Sequence, residues 1–180
     1  MNYHNITYPD QNNGDGLRIV LWVAGCEHHC TNCQNQQTWS PQSGIPFDKN
    51  AMNEILNELK KDYISGITFS GGDPLHPKNV QNVLKIVDEI RVSYPTKNIW
   101  LYTGYTWEQI MHPVITDINS KQLKMLQMRK ELVNKCDVLI DGKYVDELRD
   151  VSLHWRGSSN QRVINVQETL KQNQIVLWES

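Results

Sequence analysis

Gly25-Cys-Glu-His-His-Cys-Thr-Asn-Cys-Gln34 is the stretch around which the chain is organised, and it holds three of the four cysteines. Their C-x3-C-x2-C spacing lets three thiolates reach one metal centre from a single loop. A structural zinc site takes four ligands in a closed shell, whereas the irons of an iron–sulfur cluster are usually held by cysteine thiolates. Three thiolates would leave one iron of a four-iron cluster free to bind a small molecule. The spacing therefore favours a [4Fe-4S] cluster on Cys26, Cys30 and Cys33.

Two other interpretations of these cysteines stay open. His28 or His29 could complete a zinc site, although both lie between the first two cysteines and no further Cys or His pair follows at finger spacing. The pair in Cys30-Thr-Asn-Cys33 could instead be a thioredoxin-like redox pair, which would leave Cys26 unexplained. The fourth cysteine, Cys136, is predicted to be a buried structural thiol at the start of a strand.

The whole chain has the composition of an ordinary soluble globular protein. Its 180 residues predict a single domain, 1–180, with a substantial core. A formal net charge of −2 gives no sign of a nucleic-acid surface. The sequence has no apolar run of about 18 residues that would predict a membrane span, and no signal pattern at its start. Clustered cysteines argue against a secreted disulfide framework and favour a reducing cytoplasm.

Hydrophobic patterns predict alternating strands and helices along the chain. Apolar runs predict strands at 18–24, 67–70, 98–102 and 136–140, with short late strands at 163–165 and 175–178. Helical spacing predicts helices at 48–59 with Asp48 as N-cap, 78–92, 106–112 and 120–134. The polar stretches predict an N-terminal arm at 1–12 and a loop at 34–47.

Strand, glycine turn and helix in repetition is the pattern of α/β folds. Four clear units are present, and a closed eight-unit barrel typically needs about 250 residues. The chain therefore predicts an open, partial (β/α) barrel. The cysteine loop would lie at the carboxyl end of its strand, where α/β folds build their sites.

The cysteine spacing after the apolar strand 18–24 resembles the radical S-adenosylmethionine (SAM) superfamily. The resemblance implies a radical SAM type of partial barrel, with SAM bound to the free iron and contacted near Asn32, Cys33 and Gln34. The residue before the third cysteine is commonly aromatic in the superfamily, and here it is Asn32. The adenine contact would then come from the backbone or from another side chain.

Gly71-Gly72-Asp73-Pro74 follows the next strand and matches the Gly-Gly-Glu or Gly-Gly-Asp of that superfamily. Alone, these residues would predict only a turn. After the cysteine motif, the match implies contact between this turn and the methionyl amino group of SAM, through the carboxylate or through backbone carbonyls. Paired glycines allow such a close approach of the backbone.

Two further strand ends carry weaker signals. Asp141-Gly-Lys143 resembles the Asp-x-Lys of glycyl-radical activating enzymes, which implies that Lys143 could bind the SAM carboxylate. Thr103 could meet a ribose or carboxylate oxygen. A solvated turn is an equally good interpretation of both segments.

Later segments resemble one family in particular, the activating proteins of anaerobic ribonucleoside-triphosphate reductase. The matching segments are Met1-Asn-Tyr-His4, Ser70-Gly-Gly-Asp-Pro-Leu-His-Pro77, Tyr102-Thr-Gly-Tyr105, Asp141-Gly-Lys-Tyr144 and the polar run 155–161. The resemblance covers most of 1–165, and it is weaker in an insert near 112–130 and in the tail. The polar run predicts an exposed loop that is dispensable for folding.

The resemblance implies an oxidoreductase. A reduced cluster would donate one electron to SAM, giving methionine and a 5′-deoxyadenosyl radical that removes a hydrogen atom from a glycine Cα of the reductase. No catalytic side chain is required, because the cofactor does the chemistry. An electron donor such as reduced flavodoxin is implied, but no nucleic acid or membrane. The alternatives are activation of another glycyl-radical enzyme, such as pyruvate formate-lyase, or a non-catalytic iron–sulfur or zinc module.

Overall fold

A computed structural model of the protein describes residues 1–114, 116 and 119–178. Within that part of the chain, the strands are Asn2–Asp10 (β1), Arg18–Val23 (β2), Ile45–Pro46 (β3), Gly66–Gly71 (β4), Asn98–Tyr102 (β5), Val138–Asp141 (β6) and Arg162–Asn165 (β7). The helices are Lys49–Leu59 (α1), Val80–Ser93 (α2), Trp107–Met111 (α3), Ser120–Asn134 (α4) and Val166–Gln172 (α5). None of these helices is long and apolar enough to cross a membrane.

The strands form one open, mixed sheet in the order β3-β1-β2-β4-β5-β6-β7. The central strands β2, β4, β5 and β6 are parallel neighbours, and β1 and β7 add antiparallel strands on either side. The α/β class is thus confirmed. Because parallel strands end at the same edge, the loops that follow the four central strands gather there.

Helices cover one face of the sheet and form the main core. Asp48 caps α1 by accepting a hydrogen bond from the Ala51 N–H at 2.9 Å, as the sequence predicts. The buried positions of α1 and α2 recur every three to four residues, as a helix with one apolar face requires. Each fully buried aliphatic side chain contributes about 1.5–3 kcal/mol to the stability of the fold. The helical layer therefore stabilises the sheet on this face.

The opposite face of the sheet holds a smaller cluster around Trp100, Val138 and Ile140. At the amino-terminal end of this face lies a buried guanidinium, that of Arg18, which donates to Thr68 Oγ1 at 2.8 Å and lies over the Trp100 ring. Burial lowers the pKa of Arg18 to about 10. Because the amino-terminal end of this face is filled by packed side chains, a site on this face has room only at the carboxyl end of the strands.

The first residues differ from their prediction. The polar stretch at 1–12 predicts an arm, but most of it forms β1, which pairs with both β2 and β3. Ile6 is the one residue of β1 that is buried. Tyr3 packs partly against the core as well, but the register of β1 shifts between Tyr3 and Asn5, so no apolar alternation marks this strand in the sequence.

Two later segments also differ. The predicted loop at 34–47 contains a short 3-10 helix, Gln36–Thr38, and β3. The predicted strand at 175–178 is wrong, since Leu177 forms only an isolated bridge with Ile164. The helix α5 was not predicted because it is short and mostly polar. Of the weakly matching insert and tail, positions 115, 117, 118, 179 and 180 lie outside the described residues.

Candidate functional site

Four loops meet at the carboxyl edge of the parallel strands. The cysteine loop follows β2, the Gly71-Gly72-Asp73 turn ends β4, Thr103 follows β5, and the Asp141-Gly-Lys143 segment ends β6. All predicted site residues therefore lie at one edge, although not all of them point into it. The order of the strands brings the two strongest motifs together, because β2 and β4 are neighbours.

The three cysteines of the loop are free thiols with half-buried side chains. Backbone N–H groups point at each sulfur: those of His28 and His29 at Cys26, that of Tyr144 at Cys30, and that of Asn35 at Cys33 at 3.4 Å. Hydrogen bonds to cluster sulfurs are one of the means by which proteins tune an iron–sulfur centre. The loop is thus prepared for thiolates.

Burial works against those thiolates while no metal is bound. Desolvation raises the pKa of Cys26 to about 11. It also raises the pKa of Cys30, against the opposing effects of the Tyr144 N–H and the Lys143 ammonium. A metal binds thiolates and releases their protons. Loading of this loop should therefore be easier at alkaline pH.

The backbone of the cysteine loop explains its departure from the superfamily pattern. Asn32 has φ 54°, in the left-handed region. Asparagine is tolerated in this conformation, whereas a bulky aromatic residue would be strained. The Asn32 side chain also donates to Asp146 Oδ2 at 2.7 Å. An aromatic residue is therefore disfavoured here for a local reason.

The Gly-Gly-Asp turn packs its backbone directly against the base of the cysteine loop. The Gly72 N–H donates to the Val23 carbonyl and the Asp73 N–H to the Gly25 carbonyl, both at 2.7 Å. A Cβ at Gly72 would lie 2.5 Å from the Gly25 oxygen, so a larger residue would push the two loops apart. The glycine pair is therefore needed for loop-to-loop contact, whatever it does for a ligand.

The Asp73 side chain is buried and its oxygens are fully used. Oδ1 accepts from the Leu75 N–H at 2.8 Å, and the Thr103 hydroxyl donates to both oxygens. Oδ2 also accepts from the His28 ring at 2.6 Å and from the Gly104 N–H at 3.1 Å. A carboxylate offers about four acceptor positions. In this conformation Asp73 joins three loops, and its carboxylate has no position left for a ligand amine.

The segment after β6 contributes unequally. Asp141 is buried, and its oxygens accept from Arg162 and from the Trp107 N–H. Lys143 is exposed and lies close enough to Cys30 to affect the pKa of that thiol. Lys143 is thus available to a ligand, whereas Asp141 holds the framework.

The polar run at 155–161 differs from its prediction. Ser158 and Gln161 are buried, not exposed. The Gln161 amide donates to the Gly142 carbonyl at 3.0 Å and accepts from the Gly157 N–H at 3.0 Å. These bonds close the base of a loop that spans 142–161, which we call the cover loop. Composition could not show this, because polar side chains here are buried by bonding to the loop's own backbone.

A cavity of about 370 Å³ lies between the cysteine loop and the cover loop, on the face opposite the helices. Its lining includes Cys33 and Gln34 from the first loop, Trp155 from the second, and Ser70 and Tyr102 from the strands. The volume is within the range of small-molecule sites. It places a thiol at the edge of a space that can hold a ligand.

Sequence reasoning missed several residues that hold this edge. The Asn79 amide, wholly buried, bridges the Ala24 and Asp73 carbonyls at 2.9 Å each. Arg129 of α4 donates to the Tyr105 hydroxyl at 2.7 Å, which in turn bonds Glu27. No local pattern reveals these roles, because most of the partners are distant in the sequence.

The zinc interpretation finds no preformed site. Among the residues that the structure describes, no three Cys, His, Asp or Glu side chains gather closely enough to hold a single ion. The His28 ring instead meets Asp73, and His29 packs edge-to-face on Trp39 at 4.6 Å. A donor set of three cysteines on one loop fits a four-iron cluster.

An α/β sheet with three free thiols at its carboxyl edge is the scaffold of an iron–sulfur protein, and the family model described as "4Fe-4S single cluster domain" matches residues 12–164. The anaerobic ribonucleoside-triphosphate reductase-activating protein of Escherichia coli K12 is 45% identical over 165 residues, covering 91% of this chain and 97% of the relative. That of phage T4 is 42% identical over 163 residues, covering 91% and 93%. That of Vibrio cholerae is 40% identical over 163 residues, covering 89% and 96%. The chain belongs to the family of anaerobic ribonucleoside-triphosphate reductase-activating proteins.

Proposed function

We propose that this protein activates an anaerobic ribonucleoside-triphosphate reductase by reductive cleavage of SAM at a [4Fe-4S] cluster, leaving a glycyl radical on the reductase. The observation that carries the proposal is the loop with Cys26, Cys30 and Cys33. Each of its three sulfurs faces a backbone N–H group, and one of the three cysteines, Cys33, lines a cavity of about 370 Å³. Family membership supplies the reductase as the partner.

The cluster and SAM, when bound, would supply the electron and the radical that removes a hydrogen atom from the reductase glycine. The chain's own task is to bind and orient. The thiolates of Cys26, Cys30 and Cys33 would hold three irons of the cluster and would leave the fourth accessible. Lys143, exposed beside Cys30, is suited to the carboxylate of SAM by charge.

The Gly-Gly-Asp turn would orient the amino end of SAM through its backbone. Asp73 already accepts four donors with its carboxylate, so we assign the contact to a carbonyl of Gly71 or Gly72. Gly71 has φ 103°, a conformation open to glycine. Asp73 and Thr103 then act by holding this turn in place, and Asp141 by holding Arg162.

The adenosine would lie in the cavity between the cysteine loop and the cover loop. The left-handed backbone at Asn32 removes the usual aromatic contact. Gln34, and the aromatic side chains Tyr102 and Trp155 that also line the cavity, are candidates to replace it. The open sheet would act as a partial (β/α) barrel of the radical SAM type, spanning one domain, whose open side admits the glycine segment of the reductase.

The setting follows from the same chemistry. We place the protein in the cytoplasm, because free thiols persist in a reducing compartment. An electron donor such as reduced flavodoxin would reduce the cluster.

The test uses the full chain reconstituted anaerobically with iron and sulfide. We expect about four irons per chain, and 5′-deoxyadenosine when dithionite and SAM are added. With the reductase present, an electron paramagnetic resonance (EPR) signal of a glycyl radical should appear on that protein. Pyruvate formate-lyase in place of the reductase is the control and should give no signal. A colourless protein with one zinc, or radical formation on the control alone, would refute the proposal.

A further inference from the structure

We infer that His28 is a positioning residue, which ties the cluster-bearing loop to the Gly-Gly-Asp turn so that both ends of bound SAM are set by one hydrogen-bond network. The inference rests on the proposed function and deepens it. It gives His28 a place in the site that the cysteine motif does not specify.

The contact itself is short and buried. His28 Nε2 lies 2.6 Å from Asp73 Oδ2, and the two side chains are 6% and 1% exposed. The same ring packs edge-to-face on Tyr105 at 4.6 Å. A Cβ at Gly104 would lie 2.4 Å from this ring, so glycine is needed there for the imidazole to fit. The position of the ring is therefore fixed from three sides.

The position of His28 in the loop explains why its contact with Asp73 affects the thiols. Backbone bonds from Gly72 and Asp73 hold only the base of the loop, at Val23 and Gly25. The part of the loop that carries the thiols extends beyond this base. His28 lies between the first two cysteines, so its bond to Asp73 fixes the middle of that part. The neighbouring Glu27 bonds Tyr105 and Arg129, but the His28 bond is the one that joins this part of the loop directly to the Gly-Gly-Asp turn.

Asp73 also bonds residues that follow another strand, β5. Its carboxylate also accepts from the Thr103 hydroxyl and the Gly104 N–H, which follow β5. His28 thus connects the loop after β2 with the ends of both β4 and β5. A cluster held by the loop after β2 and a SAM molecule held by the ends of β4 and β5 would then stay at a constant distance from each other. Productive electron transfer and bond cleavage require such a fixed distance.

Three variants of the full chain separate this role from ring packing. His28→Ala removes the ring and the donor. His28→Gln removes the ring but keeps an N–H donor that can reach Asp73. His29→Asn is the control, since it removes the neighbouring imidazole, which packs on Trp39 and bonds no carboxylate among the residues that the structure describes. Asparagine also tolerates the φ of 48° at that position.

The first measurement is hydrogen–deuterium exchange of the metal-free chain. Exchange reports local opening. In His28→Ala we expect peptides that cover 25–34 and 103–105 to exchange on the order of tenfold faster, equal to about 1.4 kcal/mol. His28→Gln should restore most of the protection, and His29→Asn should resemble the wild type. Unchanged exchange in His28→Ala would overturn the inference.

The second measurement is the change that SAM causes in the EPR spectrum of the reduced cluster. All three variants should hold about four irons, while the dissociation constant for SAM rises on the order of tenfold in His28→Ala and recovers in His28→Gln. Equal weakening in both His28 variants would show that ring packing is the role. Loss of iron in His28→Ala would make it a ligand. Either result overturns the inference. If SAM does not change the EPR spectrum of the wild type, the proposed function is refuted, and the exchange measurement alone decides the role of His28.

Discussion

The cysteine loop and the cover loop lie on two sides of one cavity, but they are held in different ways. The cysteine loop is held mainly by other elements, through Asp73 at the end of β4 and through Arg129 and Tyr105. The cover loop is held mainly by itself, through Gln161 and Ser158. The first loop therefore depends on the whole fold, and the second is a largely self-contained unit attached at its base.

This difference predicts different results of mutation. A change in the cysteine loop should alter the cluster or its relation to SAM, because the loop's contacts run to the strands that hold the cofactor. Apart from Lys143 and Trp155, for which we propose contacts with SAM, a change inside the cover loop should alter its local order and the stability of the protein, and leave the cluster in place.

The largest effect should come from the thiols. Cys26→Ala, Cys30→Ala and Cys33→Ala should each abolish SAM cleavage, because losing one of three thiolates leaves an iron without its anchor. Iron content and 5′-deoxyadenosine are the measurements. Cys136→Ala is the control: this thiol is buried, donates to the Leu132 carbonyl, and has a pKa raised by burial. Full iron with SAM cleavage in any of the three variants, or loss of the cluster in Cys136→Ala, would contradict the ligand assignment.

The second largest effect should come from Asp73→Ala. Four donors, two of them buried and two part-buried, lose their acceptor, which costs about 3 kcal/mol. The turn and the cysteine loop also lose their common anchor. We expect the cluster to persist, because all three thiolates remain, while SAM affinity falls on the order of tenfold to a hundredfold. Iron analysis and SAM titration measure the two effects. Unchanged affinity together with an unchanged melting temperature would remove Asp73 from this role.

The sequence predicted the strands that carry the site because each is rich in apolar or β-prone residues, with the longest apolar run in β2. It also predicted the cysteine loop and the Gly-Gly-Asp turn, whose residues are adjacent in the chain. It could not predict that His28 and Asp73 meet, since 45 positions separate them. It left the ligand contact open between the carboxylate and backbone carbonyls, and in the structure four protein donors occupy the carboxylate.

The two wrong predictions at the polar segments share a physical reason. Apolar patterns detect burial by hydrophobic side chains only. In β1 only Ile6 is buried, and in the cover loop Ser158 and Gln161 are buried by hydrogen bonds. Neither kind of burial leaves a periodic signal in the sequence.

Within the cover loop, Ser158→Ala should destabilise the protein more than Ser159→Ala does. The Ser158 hydroxyl is buried and accepts from the Val145 N–H at 3.2 Å, so its loss should destabilise the protein by about 1 kcal/mol. Ser159 is exposed, and its replacement should change stability by less than about 0.5 kcal/mol. Melting temperatures of the metal-free proteins measure the difference, and iron content should be unchanged in both. Equal melting temperatures would restore the prediction of a loop that is dispensable for folding.

The smallest effect should appear at the base of the cover loop, where Arg162 joins Asp141 to Glu108. The hydrogen bond from Arg162 lowers the pKa of Glu108 to about 2. A lowered pKa in the folded state stabilises the protein above the unfolded value of 4.5. That contribution is lost as the pH falls from there toward 2. Since the Glu108 side chain is 55% exposed, solvent screening keeps the contribution below about 1 kcal/mol.

Glu108→Gln should therefore be slightly less stable than the wild type at pH 7, and the two proteins should converge as the pH falls below 4.5. Urea unfolding at several pH values measures this difference. Glu147→Gln, an exposed change within the cover loop, is the control and should show no pH-dependent difference of this size. A constant difference down to pH 3 would mean that Glu108 acts by packing. The base of the loop would then be held by the Gln161 bonds and by the pair of Arg162 with Asp141, without a contribution from the Glu108 charge.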